Sequence, residues 1–380
     1  MFAKTLRRTL PVALAALTVV GFTAAAHAPT SLKNAYKKDF FIGVAINGQQ
    51  ISGQDVKGDA IIAEQFSSIS PENALKWSLL HPQLDKYTWD AADKYVEFGE
   101  KNHMFIVGHN LVWHSQVPGW VFRDDKGNLL TRDALLERMH DHIRTVVGRY
   151  KGRIQSWDVV NEALNEDGTL RQSLWLKIIG PDFIEKAFQY AHEADPQAQL
   201  TYNDYNLENE PKRNGAIALI KKMQADGIPI NCVGIQGHDH MDWPTEEQED
   251  STIAAFAALG LKVSISELDI DVLPSAGPIT ADVSANLQNQ QTANRNPYVN
   301  GLPDSVQKDL AARYTMLFHV YMKHRKEMSR VTFWGLSDGD SWLNGFPVRG
   351  RTNYPLLYDR QLQTKPAYDA VIEAAKYKAK

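Results

Sequence analysis

The chain reads as a single α/β domain, a (β/α)8 TIM barrel with its active site at the C-terminal ends of the strands, and three observations predict it. Eight short apolar runs alternate with eight amphipathic stretches along the 380 residues, the pattern of eight strand–helix units. Neither a Ser/Thr/Pro- or Gly-rich linker nor an internal repeat breaks the alternation. Seven of the apolar runs end in clusters of polar side chains, more than helix caps and turns require.

Taken in order, strands are expected at 40–45, 66–70, 104–109, 154–161, 200–203, 232–236, 263–267 and 331–336. Their β-branched and apolar runs suit strands covered on both faces. The helical pattern falls at 55–65, 90–101, 132–149, 181–193, 211–226, 245–258, 305–327 and 366–377. Trp89-Asp90 with Asp93, and Thr131-Arg132-Asp133, offer polar caps and acidic first turns. Pro181, Pro211 and Pro366 are expected in first helical turns, where a missing N–H costs nothing. The stretch 273–303 breaks the alternation; rich in Asn, Gln, Ala, Ser and Pro, it reads as a long loop at the active face.

The N-terminus carries Lys4, Arg7 and Arg8, an apolar run from Leu10 to about Phe22, and Ala24-Ala25-Ala26-His27-Ala28. That is a secretory signal pattern, too short in its apolar part to span a bilayer. It places a signal peptide at 1–28, cut after Ala26 or Ala28, and a catalytic domain at 29–380, secreted or periplasmic. Removal would take three basic residues and no acidic one, carrying the formal charge from -4 to -7. With that balance and no long run of one sign, nothing points to nucleic acid or an anionic membrane. Cys232 is the sole cysteine; in an apolar run it reads as a buried, inert thiol, leaving the exported chain without an internal disulfide.

The chemistry is expected where two strands end in a carboxylate. Trp157-Asp158-Val159-Val160-Asn161-Glu162-Ala163 delivers Glu162, and Ser264-Ile265-Ser266-Glu267-Leu268-Asp269 delivers Glu267. Strands four and seven of eight face each other across the mouth of a barrel. A glycosidic bond is cut by such a pair, one carboxyl protonated to assist the leaving oxygen and the other ionised to meet the anomeric carbon. Carboxyls about 5–5.5 Å apart retain configuration and those about 6.5–9.5 Å apart invert it; the residues alone leave both open. The nine Trp are a generous number; reachable Trp faces suit sugar rings, although by number alone most Trp reads as core. Trp77, Trp89 and Trp157 read as packing.

The motifs resemble one family. Glu72-Asn73-Ala74-Leu75-Lys76-Trp77, His109-Asn110-Leu111-Val112-Trp113-His114-Ser115-Gln116, the Glu162 block, Gly234-Ile235-Gln236-Gly237-His238 and Ser266-Glu267-Leu268-Asp269 stand in order over about 40–377. Together they are similar to glycoside hydrolase family 10, retaining endo-β-1,4-xylanases on a (β/α)8 barrel. The resemblance implies that Glu162 is the acid/base and Glu267 the nucleophile. It implies that Asn161 binds the 2-hydroxyl of the reacting sugar and that His238 and Asp269 support Glu267. Glu72, Asn73, Lys76, His109, Trp113 and Gln236 would line the sugar sites on the non-reducing side, walled by Trp334 and Trp342. Tyr205 would stack under the first sugar of the leaving group. No cofactor and no metal are implied; the partners would be xylan and xylo-oligosaccharides, and the protein would act as a monomer.

Three other readings compete. His109 and His114 with His238 and His240 invite a metal site of the amidohydrolase kind, but such barrels pair their histidines on the first strand, where this chain has Gly43-Val44-Ala45-Ile46-Asn47. A β-1,4-glucan or mixed-linkage polymer could replace xylan. A silent glycan-binding protein would use the same cleft, yet both carboxylates are present.

Overall fold

The computed structural model describes residues 30–274 and 296–378. The signal pattern at 1–28 and positions 275–295 of the expected active-face loop lie outside the described residues.

Each expected strand has a counterpart, the last one shifted, since it runs Met328–Phe333 and ends before Trp334 instead of at 336. Eight of them, β1 (Phe41–Ile46), β2 (Ser68–Pro71), β3 (Phe105–Trp113), β4 (Ser156–Asn161), β5 (Gln199–Asp204), β6 (Cys232–Ile235), β8 (Lys262–Asp271) and β9 (Met328–Phe333), pair in parallel. β6 pairs β8, and β9 returns to β1, so the sheet closes on itself as a (β/α)8 barrel. A ninth strand, the three-residue β7 (His238–His240), lies outside the ring against β8, with His238 opposite Asp269. β3 and β8 run further than the sequence suggests, because their polar ends continue the ladder at the barrel mouth.

Closure puts both faces of the strands out of water, which is why the runs are apolar throughout instead of alternating. Val44, Ile69, Ile106, Val160, Val233 and Ile265 are all buried. Small side chains fill the barrel interior where strands crowd. A Cβ on Gly43 would stand 2.8 Å from Thr332 Oγ1 and 3.2 Å from Ser68 Cβ, so no larger residue fits there.

Among the described residues, the helices that fall where the sequence pattern expects them are α1 (Val56–Gln65), α2 (Asp90–Lys101), α3 (Arg132–Arg149), α4 (Phe183–Ala194), α5 (Glu210–Ala225), α6 (Glu246–Ala257), α7 (Asp304–Lys323) and α8 (Pro366–Ala374), with shorter helices such as Trp77–Leu80 and Leu174–Ile179 between them. Their starts follow from capping chemistry. Thr131 accepts from Ala134 N, Asp55 from Gly58 N, and Thr245 with Gln248 makes a reciprocal box. Pro211 and Pro366 fall in first turns as expected. Pro181 does not: Asp182 is the cap of α4, and Pro181 precedes it.

The two ends of the domain meet. Tyr36, just after the short helix Leu32–Ala35, donates its hydroxyl to Val371 O at 2.6 Å on α8 and stacks on Phe40. Tyr36 leads into β1, so this closure lies at the N-terminal end of the barrel, away from the strand C-termini. Among the described residues no helix is long and apolar enough to cross a membrane. Cys232 is buried, its thiol pushed up in pKa by that burial and set 3.7 Å from Ser264 Oγ, in line with an inert role.

Candidate active site

The strand ends converge on one cleft. β4 stops at Asn161, and Glu162 follows with φ 56°, a left-handed conformation costing a non-glycine residue about 1–2 kcal/mol. The Glu162 N–H donates to Asn203 O at 2.9 Å on the neighbouring strand. The side chain, 8% exposed, turns into the mouth, where its Oε2 accepts from Trp113 Nε1 at 2.8 Å. Its Oε1 accepts from Asn161 Nδ2 at 3.2 Å and Gln236 Nε2 at 3.1 Å.

Glu267 lies across from it on β8, also buried. Its Oε1 accepts from Asn203 Nδ2 at 2.7 Å and its Oε2 faces His238 Nε2 at 3.3 Å. His238 in turn sets Nδ1 3.0 Å from Asp269 Oδ1, and Asp269 Oδ2 accepts from Trp342 Nε1 at 2.7 Å. The β7–β8 pairing of His238 with Asp269 makes this chain of contacts. Burial alone would raise the Glu267 pKa, but the hydrogen bond from His238 and the positive charges of His109, His238 and Lys76 outweigh it and hold the carboxyl at about 2. Burial opposes the charge on His238 as well; Asp269, by charge and hydrogen bond, and then Glu267 lift the imidazole to about 10. Glu267 is therefore held ionised through the ordinary pH range.

The two carboxylates are tied to each other. Gln236 Nε2 donates to Glu162 Oε1 and, at 3.3 Å, to Asn161 Oδ1. Asn161 Oδ1 also accepts from Asn203 Nδ2 at 2.8 Å, and that same amide reaches Glu267. Four hydrogen bonds through three neutral amides thus join Glu162 to Glu267, with nothing in the path able to discharge either.

Around them is a cavity of about 340 Å³ lined by Glu72, Asn73, Lys76, His109, Trp113, Asn161, Gln236, His238, Trp334 and Trp342 with both glutamates. The structure brings all these sequence-derived candidates together. Lys76 Nζ donates to Asn73 Oδ1 at 3.1 Å and sits 5.0 Å from the Trp113 ring centre. Burial pushes its pKa down against the pull of Glu267, Glu72 and Glu162, and burial pushes that of Glu72 up. His109 turns Nδ1 to Asp158 Oδ2 at 3.0 Å and its ring edge to Trp334. Asp269 stands behind His238 and outside this lining.

Tyr205 stands next to this cavity. It lines an adjoining cavity of about 870 Å³ that shares His238, Trp342 and Phe346 with the first. Its ring is buried, 2% exposed, with Lys212 Nζ 3.3 Å from the ring centre, and its hydroxyl accepts from Arg171 Nη2 at 2.5 Å. A cation therefore lies over the ring, while Tyr205 also lines the adjoining cavity. As for the histidines, His238 and His109 are engaged with carboxylates, and His114 Nδ1 lies 3.9 Å from Glu162 Oε2. Among the described residues no group of three His, Cys, Asp or Glu is arranged to hold a metal ion.

Three contributors went unselected in the sequence. Asn203 holds both Asn161 and Glu267; its strand-end position beside Glu162's strand was the available signal. Arg171 contacts the Glu162 backbone, its Nε donating to Glu162 O at 3.0 Å, from a hairpin that no periodicity marks. Phe346, stacked on Trp342 at 5.3 Å, belongs to both cavities.

Comparison with known proteins agrees over the whole domain. The family model described as Glycosyl hydrolase family 10 matches residues 31–374. An endo-1,4-β-xylanase A of Xylanibacter ruminicola is 44% identical over 358 residues, covering 94% of this chain and 96% of that protein. The structure of an endoxylanase of family 10 from a sugarcane soil metagenome superposes with a TM-score of 0.85 at 48% identity, covering 91% of this chain and 100% of the other. A mutant structure solved in complex with xylotriose gives a TM-score of 0.81 at 34% identity, covering 90% and 99%.

Proposed function

The chain belongs to glycosyl hydrolase family 10 and is an endo-1,4-β-xylanase, and from that premise we propose that it cuts internal bonds of xylan with retention of configuration, Glu267 as nucleophile and Glu162 as acid/base. One observation carries the assignment. Glu267 is a buried carboxylate held at about 2 by His238 and nearby charges, whereas the hydrogen bonds to the Glu162 carboxyl come from the Trp113 indole and the Asn161 and Gln236 amides, with the His114 imidazole farther off at 3.9 Å. The first is suited to attack; the second is free to exchange a proton.

Attack of Glu267 on the anomeric carbon breaks the glycosidic bond while Glu162 gives its proton to the departing oxygen. A glycosyl ester on Glu267 results. Glu162, now ionised, takes a proton from water as the water oxygen displaces Glu267 and restores the starting state. Asn161 is fixed by Asn203 and Gln236; it binds the 2-hydroxyl of the reacting sugar, a contact that strengthens as positive charge develops on the ring. Lys76, Glu72, Asn73 and His109 hold sugars on the non-reducing side against Trp334 and Trp342. Residues 29–380 form the catalytic domain, released to the periplasm or medium after cleavage of the N-terminal signal, and work as a monomer.

The test is in two parts. The first-formed anomer, followed by proton NMR during xylan cleavage, should be β; an α anomer would exclude retention. Glu267→Ala should abolish turnover on every substrate, whereas Glu162→Ala should spare substrates with good leaving groups by about 100-fold or more relative to xylan. Normal turnover in the first variant, or equal losses in the second, would overturn the roles.

A further inference from the structure

We infer that Arg171, braced by Tyr205, is a positioning residue that fixes the aim of the Glu162 side chain, an inference that rests on Glu162 being the acid/base. Glu162 stands in a left-handed backbone conformation, which an L-residue leaves readily unless its neighbours hold it. Its N–H is fixed by Asn203 O. Its carbonyl is fixed by Arg171 Nε at 3.0 Å, and Arg171 Nη2 reaches on to Leu164 O at 3.5 Å. One guanidinium thus brackets the turn that follows the strand.

The bracket is itself anchored. Arg171 N donates to Ala163 O at 2.8 Å, closing a small hairpin through the Leu164–Leu170 bridge. Arg171 Nη2 donates to the Tyr205 hydroxyl at 2.5 Å. Tyr205 cannot drift, because Lys212 lies over its ring and is held by Asp204 at 2.9 Å and Glu166 at 3.3 Å. Asp204 Oδ2 also accepts from Leu164 N at 3.3 Å and from the Tyr202 hydroxyl at 2.6 Å. The turn carrying Glu162 is therefore held at its carbonyls by Arg171 and at its N–H groups by Asn203 and Asp204. The planar fork of Arg171 reaches two carbonyls and a hydroxyl at once; a lysine cannot.

A small displacement of an acid costs most where the leaving group most needs a proton. Arg171→Met should therefore lower kcat/KM on xylan by about 100-fold and on a 2,4-dinitrophenyl β-xylobioside, whose phenolate leaves unaided, by less than about 10-fold. Tyr205→Phe should show the same inequality to a smaller degree, and Arg171→Lys should recover only part of the loss. Melting temperature, measured on each variant, separates this from unfolding. A role in stability alone would lower both substrates' rates alike; equal losses in Arg171→Met and Tyr205→Phe would overturn the inference. If Arg171→Met fails to fold, Tyr205→Phe carries the test. Glu162→Ala in the same two assays tells the failures apart. Leaving-group dependence there but not in the Arg171 and Tyr205 variants sinks the positioning role alone, and its absence in Glu162→Ala sinks the acid assignment with it.

Discussion

Replacing His238 by Ala asks whether the charge on Glu267 is held by its neighbours or by water. Burial raises the pKa of this carboxyl, and His238 opposes burial twice, by its hydrogen bond and by its charge. Without it only His109 and Lys76 remain on that side, so the carboxyl should return from about 2 to its ordinary 4.5 or above. Such a rise corresponds to about 3.5 kcal/mol lost from the ionised state, at about 1.4 kcal/mol for each tenfold change in the equilibrium. The acid limb of kcat/KM reports the nucleophile in the free enzyme, so the assay is initial-rate hydrolysis of soluble xylan across the acid range. For wild type, Glu267 should impose no loss down to about pH 3, whereas the variant should lose about tenfold per unit below its new value. Variant and wild-type limbs that superimpose would refute the argument, since the charge would then be maintained by something other than this imidazole.

Two further outcomes follow from packing and burial. A Cβ on Gly234 would fall 2.2 Å from Asn203 Oδ1, so Gly234→Ala should displace the amide joining the two glutamates and lower kcat by about tenfold or more with a depressed melting temperature; unchanged kcat would mean that the link is dispensable. His81 and His142 face each other Nδ1 to Nδ1 at 3.1 Å, with His142 flat on Trp77. His81 Nε2 donates to Leu84 O, so His142 must be the Nδ1 donor. Burial lowers both pKa values below the usual 6.5. Unfolding therefore takes up protons below that value, and the stability they contribute is complete above pH 6.5 and lost as pH falls. Melts of His142→Phe should show a flatter acid decline than wild type, and parallel declines would contradict the neutral pair.

The elements were legible because the barrel writes itself into single segments: a run of β-branched residues, a cap, an amphipathic helix. Thr131, Thr245 and Pro366 announce helix starts without reference to anything distant. The two glutamates were legible for the same reason, each closing its own strand. What single segments do not record is register. Asn203 matters because β4 and β5 place it opposite Asn161, and that offset is decided by the closed sheet. Polar His109 and Asn110 looked like a strand end, yet β3 continues to Trp113, because side chains at a barrel mouth can be polar and still paired. The setting of Tyr205 was hidden for a related reason: aromatic character suggests a platform, and only the folded chain shows Lys212 lying over its ring and Arg171 on its hydroxyl.

The contact between Tyr36 and Val371 gives the molecule two handles on one side. Since β1 is entered from that side and the strands empty their polar tips on the opposite one, a tether or second module joined next to Tyr36 or Val371 would start from the side of the barrel away from the groove. The seam between the first and last described elements and the glutamate cleft thus lie at opposite poles of the barrel.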